Sequence, residues 1–549
     1  MKKRLEGLLQ QAIVRATKGG ALKSKSLPPL FLERPKDPAF GDLASTVAMA
    51  LAREERKAPR AVAETLVRHI DDPAGILAAI EIAGPGYINF RFSHRFWEEC
   101  LAEIERDHYG PEPFGDGRTV LVEFVSANPT GPLTVGHGRN AVLGDVIARL
   151  LEATGHRVTR EYYFNNAGRQ MTLLGESVRA RYLEQIGQPF SLPEDGYIGE
   201  YIVEIARDLV REHGSALVDE AAGGRFKQAA EHAIFADIER TLDRIGIHFD
   251  SYFNEDSLYG GGQIAEILSE LRGRDLAFDR EGAVWLHGEP LGLDKDRVLV
   301  KSSGEPAYRL PDMAYHKEKL RRGFDLLIDV LGADHIAEHQ EVRAALKALG
   351  FDVERIKAII YQFVTLTRGG VQVKMSTRKA EYVTVDELLD EVGSDVVRFF
   401  FLTRKADSHL EFDLDLAKKQ SADNPVFYVQ YAHARVSSLF EQAAKAGVQS
   451  APAAASHLET LTAPEEVAVV KLLAQYSDVV EDAARALEPH RVVFYLIDLA
   501  SEFHRFYNRH RVLTDDRQRT AARLYLARAV QLVARRGLSL LGVRAPDKM

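Results

Sequence analysis

The apolar positions of the chain change period several times, and each change predicts an element. An amphipathic pattern broken by Glu6, Gln10 and Gln11 predicts a helix near 2–17, and a second helical stretch is expected near 41–70. Ile80 to Phe92 is a glycine-punctuated strand region. Val120 to Val125 is a compact apolar run, which suits a buried parallel strand. A loop with Pro129, Gly131, Pro132, Gly136 and Gly138 follows. Val142, Leu143, Val146, Ile147, Leu150 and Leu151 then repeat at helical spacing, and Gly155 stands where that helix stops.

Val158 to Phe164 predicts a second strand, and residues 170–290 alternate helical patterns with polar loops, as an insertion would. Strands return at Val298–Lys301, Leu326–Leu331 and Ala358–Thr365. Strands alternating with helices predict a doubly wound parallel sheet with its ligand at the carboxyl ends of the strands. Arg368-Gly369-Gly370 reads as a turn between two β-like runs. Thr384 and Glu387 have the spacing of a capping box, and Ser394 is expected to start another helix. Long amphipathic patterns then run from Asn424 onward, with a loop at 447–465. The fold class is therefore multidomain α/β: an N-terminal α+β domain (1–112), a Rossmann-like catalytic domain (113–383) with an insertion at about 170–290, and a C-terminal all-α helical region (384–549).

Composition narrows the function. A chain of 549 residues with 46% hydrophobic and 28% charged residues suits a soluble protein of several domains. The net charge of −9 gives no global basic field, so any nucleic-acid contact must come from local patches. The single cysteine, Cys100, excludes an internal disulfide or a cysteine-rich metal site and fits the reducing cytoplasm. No signal-peptide core and no apolar run of transmembrane length is present, so no membrane partner is expected.

Three constellations carry chemistry. The glycine-rich strand-to-helix loop gathers backbone N–H groups and the positive helix end where a phosphate fits, with His137 at its mouth. It has the glycine spacing of neither a Walker A loop nor a dinucleotide fingerprint. Gly332-Ala333-Asp334-His335 follows the apolar strand L-L-I-D-V-L, where an Asp-His pair can meet a nucleotide. The same residues open His335-Ile336-Ala337-Glu338-His339, an H-x-x-E-H pattern that on a helix could bind zinc, although it begins at a strand end. Val371 to Ala380, V-Q-V-K-M-S-T-R-K-A, is a basic loop that could close over a triphosphate. Between His490 and Leu513, aromatics interleave with Arg505, Arg509 and Arg511, as in surfaces that stack bases and bind phosphate.

The string A-N-P-T-G-P-L-T-V-G-H resembles the H-I-G-H signature of class I aminoacyl-tRNA synthetases, and Lys374-Met375-Ser376-Thr377 resembles their K-M-S-K signature. The wider V-E-F-V-S-A-N-P-T-G-P through G-H-G-R-N-A-V-L-G-D looks like arginyl-tRNA synthetase of the bacterial type, and the similarity extends over nearly the whole chain. That resemblance implies an arginine–tRNA ligase that forms arginyl-adenylate from ATP and L-arginine and transfers arginine to the 3′ end of tRNA(Arg), with Mg²⁺ accompanying ATP. It implies ATP contacts from Gly136, His137, Gly138, Gly332, Asp334, His335, Lys374 and Met375, and catalytic roles for Thr134, His137, Lys374, Ser376 and Arg378. A guanidinium wants carboxylates in a fork and an aromatic face. The matching positions are Glu255, Tyr308 and Asp312, with Ser126 and Asn128 for the amino acid's backbone groups. Tyr308 and Asp312 share a face if that segment is helical. In the family the N-terminal domain holds the outer corner of the tRNA, which points to Tyr87 and Asn89, and the C-terminal segment looks like its anticodon-binding domain, which points to Arg435, Arg505 and Arg509. No resident metal is implied. A cytoplasmic monomer whose activation needs bound tRNA is expected.

The sequence departs from the pattern at two places. Thr134 stands where the first signature has His, and Thr377 where the second has its last Lys. Loss of a charged donor to a transition state costs roughly 2–4 kcal/mol, by analogy with removal of an oxyanion-hole donor. Relatives lacking that Lys often carry one a few residues before the first signature, where this chain has Gly131, and Arg378 or Lys379 is expected to substitute. Two alternatives follow: a weakened paralogue that binds tRNA without efficient charging, and a class I synthetase for another amino acid. Retention of every arginine-pocket position favours an active enzyme, and Glu255 with Asp312 argues against an apolar or acidic substrate. A zinc hydrolase is the distant third.

Overall fold

The computed structural model describes residues 1–24, 28, 30–106, 109–373, 383–449, 452–453 and 456–549. The first unit comprises α1 (Lys2–Lys18), β1 (Leu32–Glu33), β2 (Leu43–Ser45), α2 (Val47–Glu55), α3 (Pro59–His69), β3 (Leu77–Ala83), β4 (Tyr87–Phe92) and α4 (His94–Glu103). Its antiparallel sheet has the order β1-β2-β4-β3. The expected helix over 41–70 is thus a strand followed by two helices. A side chain at Gly41, where φ is 106°, would lie 2.6 Å from the Phe90 carbonyl oxygen, so the chain enters β2 pressed against β4. Pairing of Leu43–Ser45 with Phe90–Ile88 overrides the local helical pattern.

The central unit runs β5 (Thr119–Glu123), α5 (Val135–Ala153), β6 (Arg157–Phe164), α6 (Gly168–Gln185), α7 (Glu200–His213), α8 (Lys227–Ile245), β7 (Ser251–Asn254), α9 (Asp256–Gly260), α10 (Gln263–Gly273), β8 (Ala277–Arg280), β9 (Ala283–Leu286), β10 (Arg297–Val300), α11 (Arg309–Arg321), β11 (Leu326–Gly332), α12 (Ile336–Ala348) and β12 (Ile356–Tyr361). Five strands form one parallel sheet in the order β12-β11-β5-β6-β7. The chain winds outward from β5 through β6 to β7, then crosses back to β11. The carboxyl ends of β5 and β11 therefore flank a topological switch point, where such sheets bind ligands.

Two expectations need correction. Residues 170–290 are not wholly an insertion, because they contain β7, the edge strand of the central sheet. Its four residues alternate in exposure and lack the continuous apolar run that marks a buried parallel strand. The Val298–Lys301 strand belongs not to that sheet but to a separate antiparallel one, ordered β10-β9-β8.

The predicted Ala358–Thr365 strand also divides. β12 ends at Tyr361, and β13 (Val364–Arg368) joins β14 (Val371–Gln372) and β15 (Leu410–Asp413) in a small sheet ordered β14-β13-β15. Gly369 and Gly370, with φ of 60° and 73°, make the two-residue turn between β13 and β14. The remaining helices are α13 (Val385–Val392), α14 (Ser394–Phe401), α15 (Leu414–Lys418), α16 (Pro425–Lys445), α17 (Pro464–Leu473), α18 (Tyr476–Ala486), α19 (His490–Arg509) and α20 (Arg517–Leu540). The capping box is present at α13: Thr384 Oγ1 accepts the Glu387 N–H at 3.1 Å, and Glu387 Oε2 accepts the Thr384 N–H at 2.7 Å. The first unit packs on this helical region, where Tyr109 donates to the Leu473 carbonyl and Tyr525 to that of Leu101. Among the described residues, no helix is long and apolar enough to cross a membrane.

α5 crosses β5 at a distance that only glycine permits. A Cβ at Gly144 would lie 2.2 Å from the Phe124 ring. We expect Gly144→Ala to destabilise the protein by about 1–3 kcal/mol through overpacking, read as a lower thermal midpoint. Gly7→Ala, in the middle of α1 with no neighbour within 4 Å, is the control and should be neutral or slightly stabilising.

Candidate active site

β5 ends in a strained bend. Val125 and Ser126 have φ of 64° and 43°, values a β-branched residue rarely adopts. The bend is braced on several sides. The Val125 N–H donates to Asn140 Oδ1 at 2.6 Å, and Asn140 Nδ2 donates to the Val330 carbonyl at 2.8 Å, so α5 ties β5 to β11 across the switch point. Ser126 Oγ donates to Glu123 Oε1 at 2.9 Å and accepts the Tyr163 N–H at 3.2 Å. Beyond the bend, Ala127 and Asn128 enter a cleft of about 690 Å³, lined also by the start of α5, the end of β11 and the first turn of α11.

His137 lies in the first turn of α5 and lines the cleft. Its Nδ1 accepts the Thr134 N–H at 3.2 Å, and the Thr134 hydroxyl oxygen is 3.3 Å from the same nitrogen. That bond assigns the ring proton to Nε2. Burial pushes the His137 pKa down to about 4, so the ring is a neutral single donor at the helix start. Thr134 also meets the chain just after the second signature: it bridges Thr384, the Val135 N–H donates to Val383, and the Val385 N–H donates to Leu133.

The same cleft also holds negative charge. Glu255 is 6% exposed, and its carboxylate accepts from Tyr163 Oη at 2.9 Å and Tyr259 Oη at 3.3 Å. Among the described residues it has no Lys or Arg partner within ion-pair distance. Burial raises its pKa, and the two hydroxyls offset this only in part. Asp312 stands one turn into α11, after Tyr308, which is 66% exposed at the helix cap. Below Asp312 lies a buried network: His316 bonds Asp312 and Asp329, and Lys319 pairs with Glu123 and Asp329.

All five predicted arginine residues, Ser126, Asn128, Glu255, Tyr308 and Asp312, line this one cleft, as do Thr134, Gly136, His137, Gly332, Asp334 and His335. Gly138 does not line it. A Cβ there would lie 3.0 Å from Val385 and 3.1 Å from Phe401, so this glycine serves helix packing. Lys374, Met375, Ser376 and Arg378 lie outside the described residues, as do Thr377 and Lys379. The H-x-x-E-H pattern forms no zinc site: His335 faces Asp334 and Glu338, whereas His339 is buried against Asp329.

Of the predicted tRNA residues, Tyr87 is half-buried at the start of β4, but Asn89 is only 5% exposed and presents no open edge to a base. Arg435 lies 4.6 Å from the Tyr431 ring and 4.8 Å from the Tyr507 ring. Arg505 and Arg509 are exposed on α19, beside Glu502 and Glu465. Sequence reasoning missed Glu123, Asn140, His316, Asp329 and the exposed Phe363 at the cleft. Glu123 and Asp329 did carry a signal, since each is a lone carboxylate inside an apolar strand run.

The parallel sheet with a cleft at its switch point and a Gly-His helix start lining that cleft is the arrangement of a class I aminoacyl-tRNA synthetase catalytic domain. Residues 104–400 match the family described as tRNA synthetases class I (R), catalytic domain; residues 3–92 match Arginyl tRNA synthetase N terminal domain; and residues 429–549 match DALR anticodon binding domain. The arginine–tRNA ligase of Desulfotalea psychrophila is 50% identical over 551 residues, covering 100% of both chains, and that of Syntrophotalea carbinolica is 46% identical over 554 residues, again covering 100% of both. The Thermus thermophilus arginyl-tRNA synthetase structure aligns with a TM-score of 0.77 at 25% identity, covering 98% of this chain and 99% of that one. The chain belongs to the arginine–tRNA ligase family.

Proposed function

We propose that this arginine–tRNA ligase activates arginine in the switch-point cleft, with the guanidinium held by Glu255 and Asp312 and the phosphates of ATP over the start of α5. The observation that carries the reading is a buried carboxylate with no cationic partner among the described residues, Glu255, in the same cleft as a helix start that offers an N–H donor. One wall is complementary to a cation and the other to an anion.

Tyr308 covers the guanidinium, and Ser126 with Asn128 holds the amino acid's backbone groups. His137 Nε2–H donates to a phosphate oxygen, and Gly136 lets the backbone approach. Gly332, Asp334 and His335 meet the nucleoside. The arginine carboxylate attacks the α-phosphate in line and pyrophosphate leaves. The terminal adenosine of tRNA(Arg) then takes the aminoacyl group. No side chain acts as a nucleophile; catalysis is positioning plus electrostatic stabilisation. Mg²⁺ fits the exposed Asp334 and half-buried Glu338 at the mouth as hard oxygen donors, and it would neutralise phosphate charge there. The residues 1–112 and 384–549 bind the tRNA, through Tyr87 and through Arg435, Arg505 and Arg509, and tRNA binding is required for activation. The enzyme works as a cytoplasmic monomer.

No Lys or Arg is among the described residues lining the cleft, and this is the observation that favours the weakened paralogue. In the active reading, Lys374 and Arg378 supply the missing charge and Ser376 a hydroxyl donor, with Lys379 as the alternative to Arg378. Single-turnover aminoacylation of Arg378→Ala and Lys379→Ala tests this. One of the two variants should lose about 10²-fold in rate, the size of a lost transition-state donor. Unchanged rates in both would remove the compensation from the mechanism.

A further inference from the structure

We infer that His316 is a positioning residue for the arginine pocket, bridging the Asp312 and Asp329 carboxylates so that Asp312 is fixed in place for a cationic side chain. The inference rests on the proposed arginine site and deepens it.

His316 is buried one turn below Asp312 on α11. Its Nδ1 lies 2.9 Å from both the Asp312 carboxylate Oδ1 and the Asp312 backbone carbonyl oxygen, and its Nε2 lies 3.1 Å from Asp329 Oδ2 on β11, so both ring nitrogens face acceptors. A neutral imidazole has one N–H and could donate to only one of the two carboxylates; an imidazolium donates to both. Every charged group around it favours that form except one. Asp312 and Asp329 face it from α11 and β11, and the His339 ring of α12 lies 5.9 Å away, itself 3.4 Å from Asp329. Lys319, on the same helix, opposes it but is engaged by Asp329 at 2.7 Å and by Glu123 of β5. Burial would lower the His316 pKa, but Asp312 and Asp329 override this and it is pushed up to about 10. Burial likewise favours a protonated Asp312, and His316 with Lys319 reverses that, holding its carboxyl below the usual range.

The arrangement also argues against a metal at this cluster. The ligand atoms of His316, Asp329 and His339 lie within 4.8 Å of one another. The Lys319 ammonium and the His316 imidazolium already occupy the carboxylates a metal would need. Among the described residues, the three carboxylates Glu123, Asp312 and Asp329 face two cations, Lys319 and the His316 imidazolium. One negative charge is left over, and Asp312 is the member of the set that stands in the cleft beside Glu255. The guanidinium completes the balance.

The test is pyrophosphate exchange with tRNA present in wild-type, His316→Gln and His316→Asn enzymes, each checked for folding by thermal midpoint. We expect the arginine KM to rise at least tenfold with the ATP KM unchanged within twofold. Discrimination against citrulline, a neutral isostere of arginine, should weaken. The acid limb of kcat/KM for arginine should steepen, because Asp312 then titrates alongside Glu255. An unchanged arginine KM, or an equal rise in both KM values, overturns the inference. If neither variant folds, histidine-selective ¹⁵N NMR of the wild type decides: an imidazole protonated on both nitrogens at neutral pH supports it, and a neutral ring or stoichiometric metal in the purified protein overturns it. Wild-type enzyme without arginine-dependent exchange would instead defeat the proposed function, while the NMR result would still stand.

Discussion

Glu255→Gln lowers kcat/KM for arginine by about 10²–10³-fold and leaves the ATP KM nearly unchanged. The substitution keeps the shape and the possibility of bonds to Tyr163 and Tyr259, but it removes the negative charge that the proposed site offers to the guanidinium. Removing one partner of a buried, hydrogen-bonded charge pair costs about 2–5 kcal/mol, which brackets that loss. The same residue sets a pH dependence. Burial raises the Glu255 pKa in the free enzyme, so it takes up a proton at a higher pH than an ordinary carboxyl. Arginine is a cation throughout this range, and the proposed site holds it through the carboxylate. Affinity is therefore complete above the raised pKa and is lost as pH falls through it. The pH profile of kcat/KM for arginine should show this limb in wild type and lose it in Glu255→Gln. Retention of the limb in the variant would place the titrating group elsewhere.

His137→Ala should lower kcat for exchange by about 10²–10³-fold, the usual effect of deleting one donor to charge that develops in a transition state. The arginine KM should stay close to wild type, since the proposed role of His137 is to donate to a phosphate oxygen. His137→Gln should recover part of the loss, because its amide N–H can reach toward the place of Nε2–H. These are steady-state measurements with ATP and arginine varied in turn. Thr134 bears on the same point. It orients His137 through its backbone N–H, which every residue except proline supplies. This gives a physical reason for the first position of the signature to accept a hydroxyl residue here, and Thr134→Ala should cost less than His137→Ala.

Most of the parallel sheet was legible because buried strands such as Val120–Val125 and Leu326–Leu331 are continuous apolar runs beside amphipathic helices. β7 was not legible, since an edge strand of four residues with alternating exposure carries no such signal. β2 was hidden because its pairing with β4 is a tertiary contact that outweighs a helix-favouring neighbourhood. Among the described residues, the ATP, arginine and catalytic positions given by the family resemblance line one cleft, apart from Gly138, which the packing of Val385 and Phe401 explains; Lys374, Met375, Ser376 and Arg378 lie outside the described residues. The supporting charges could not be placed from sequence. Glu123, His316, Lys319 and Asp329 lie far apart along the chain, and only the fold brings them into one network.

Pyrophosphate exchange with ATP and arginine, with and without unfractionated tRNA and with other amino acids as controls, tests the account most directly. Exchange specific to arginine and dependent on tRNA is expected, and it would show that Thr134 and Thr377 are tolerated. Absence of exchange with any amino acid, in protein that still retains tRNA on a filter, would contradict the account and assign the chain to a tRNA-binding paralogue.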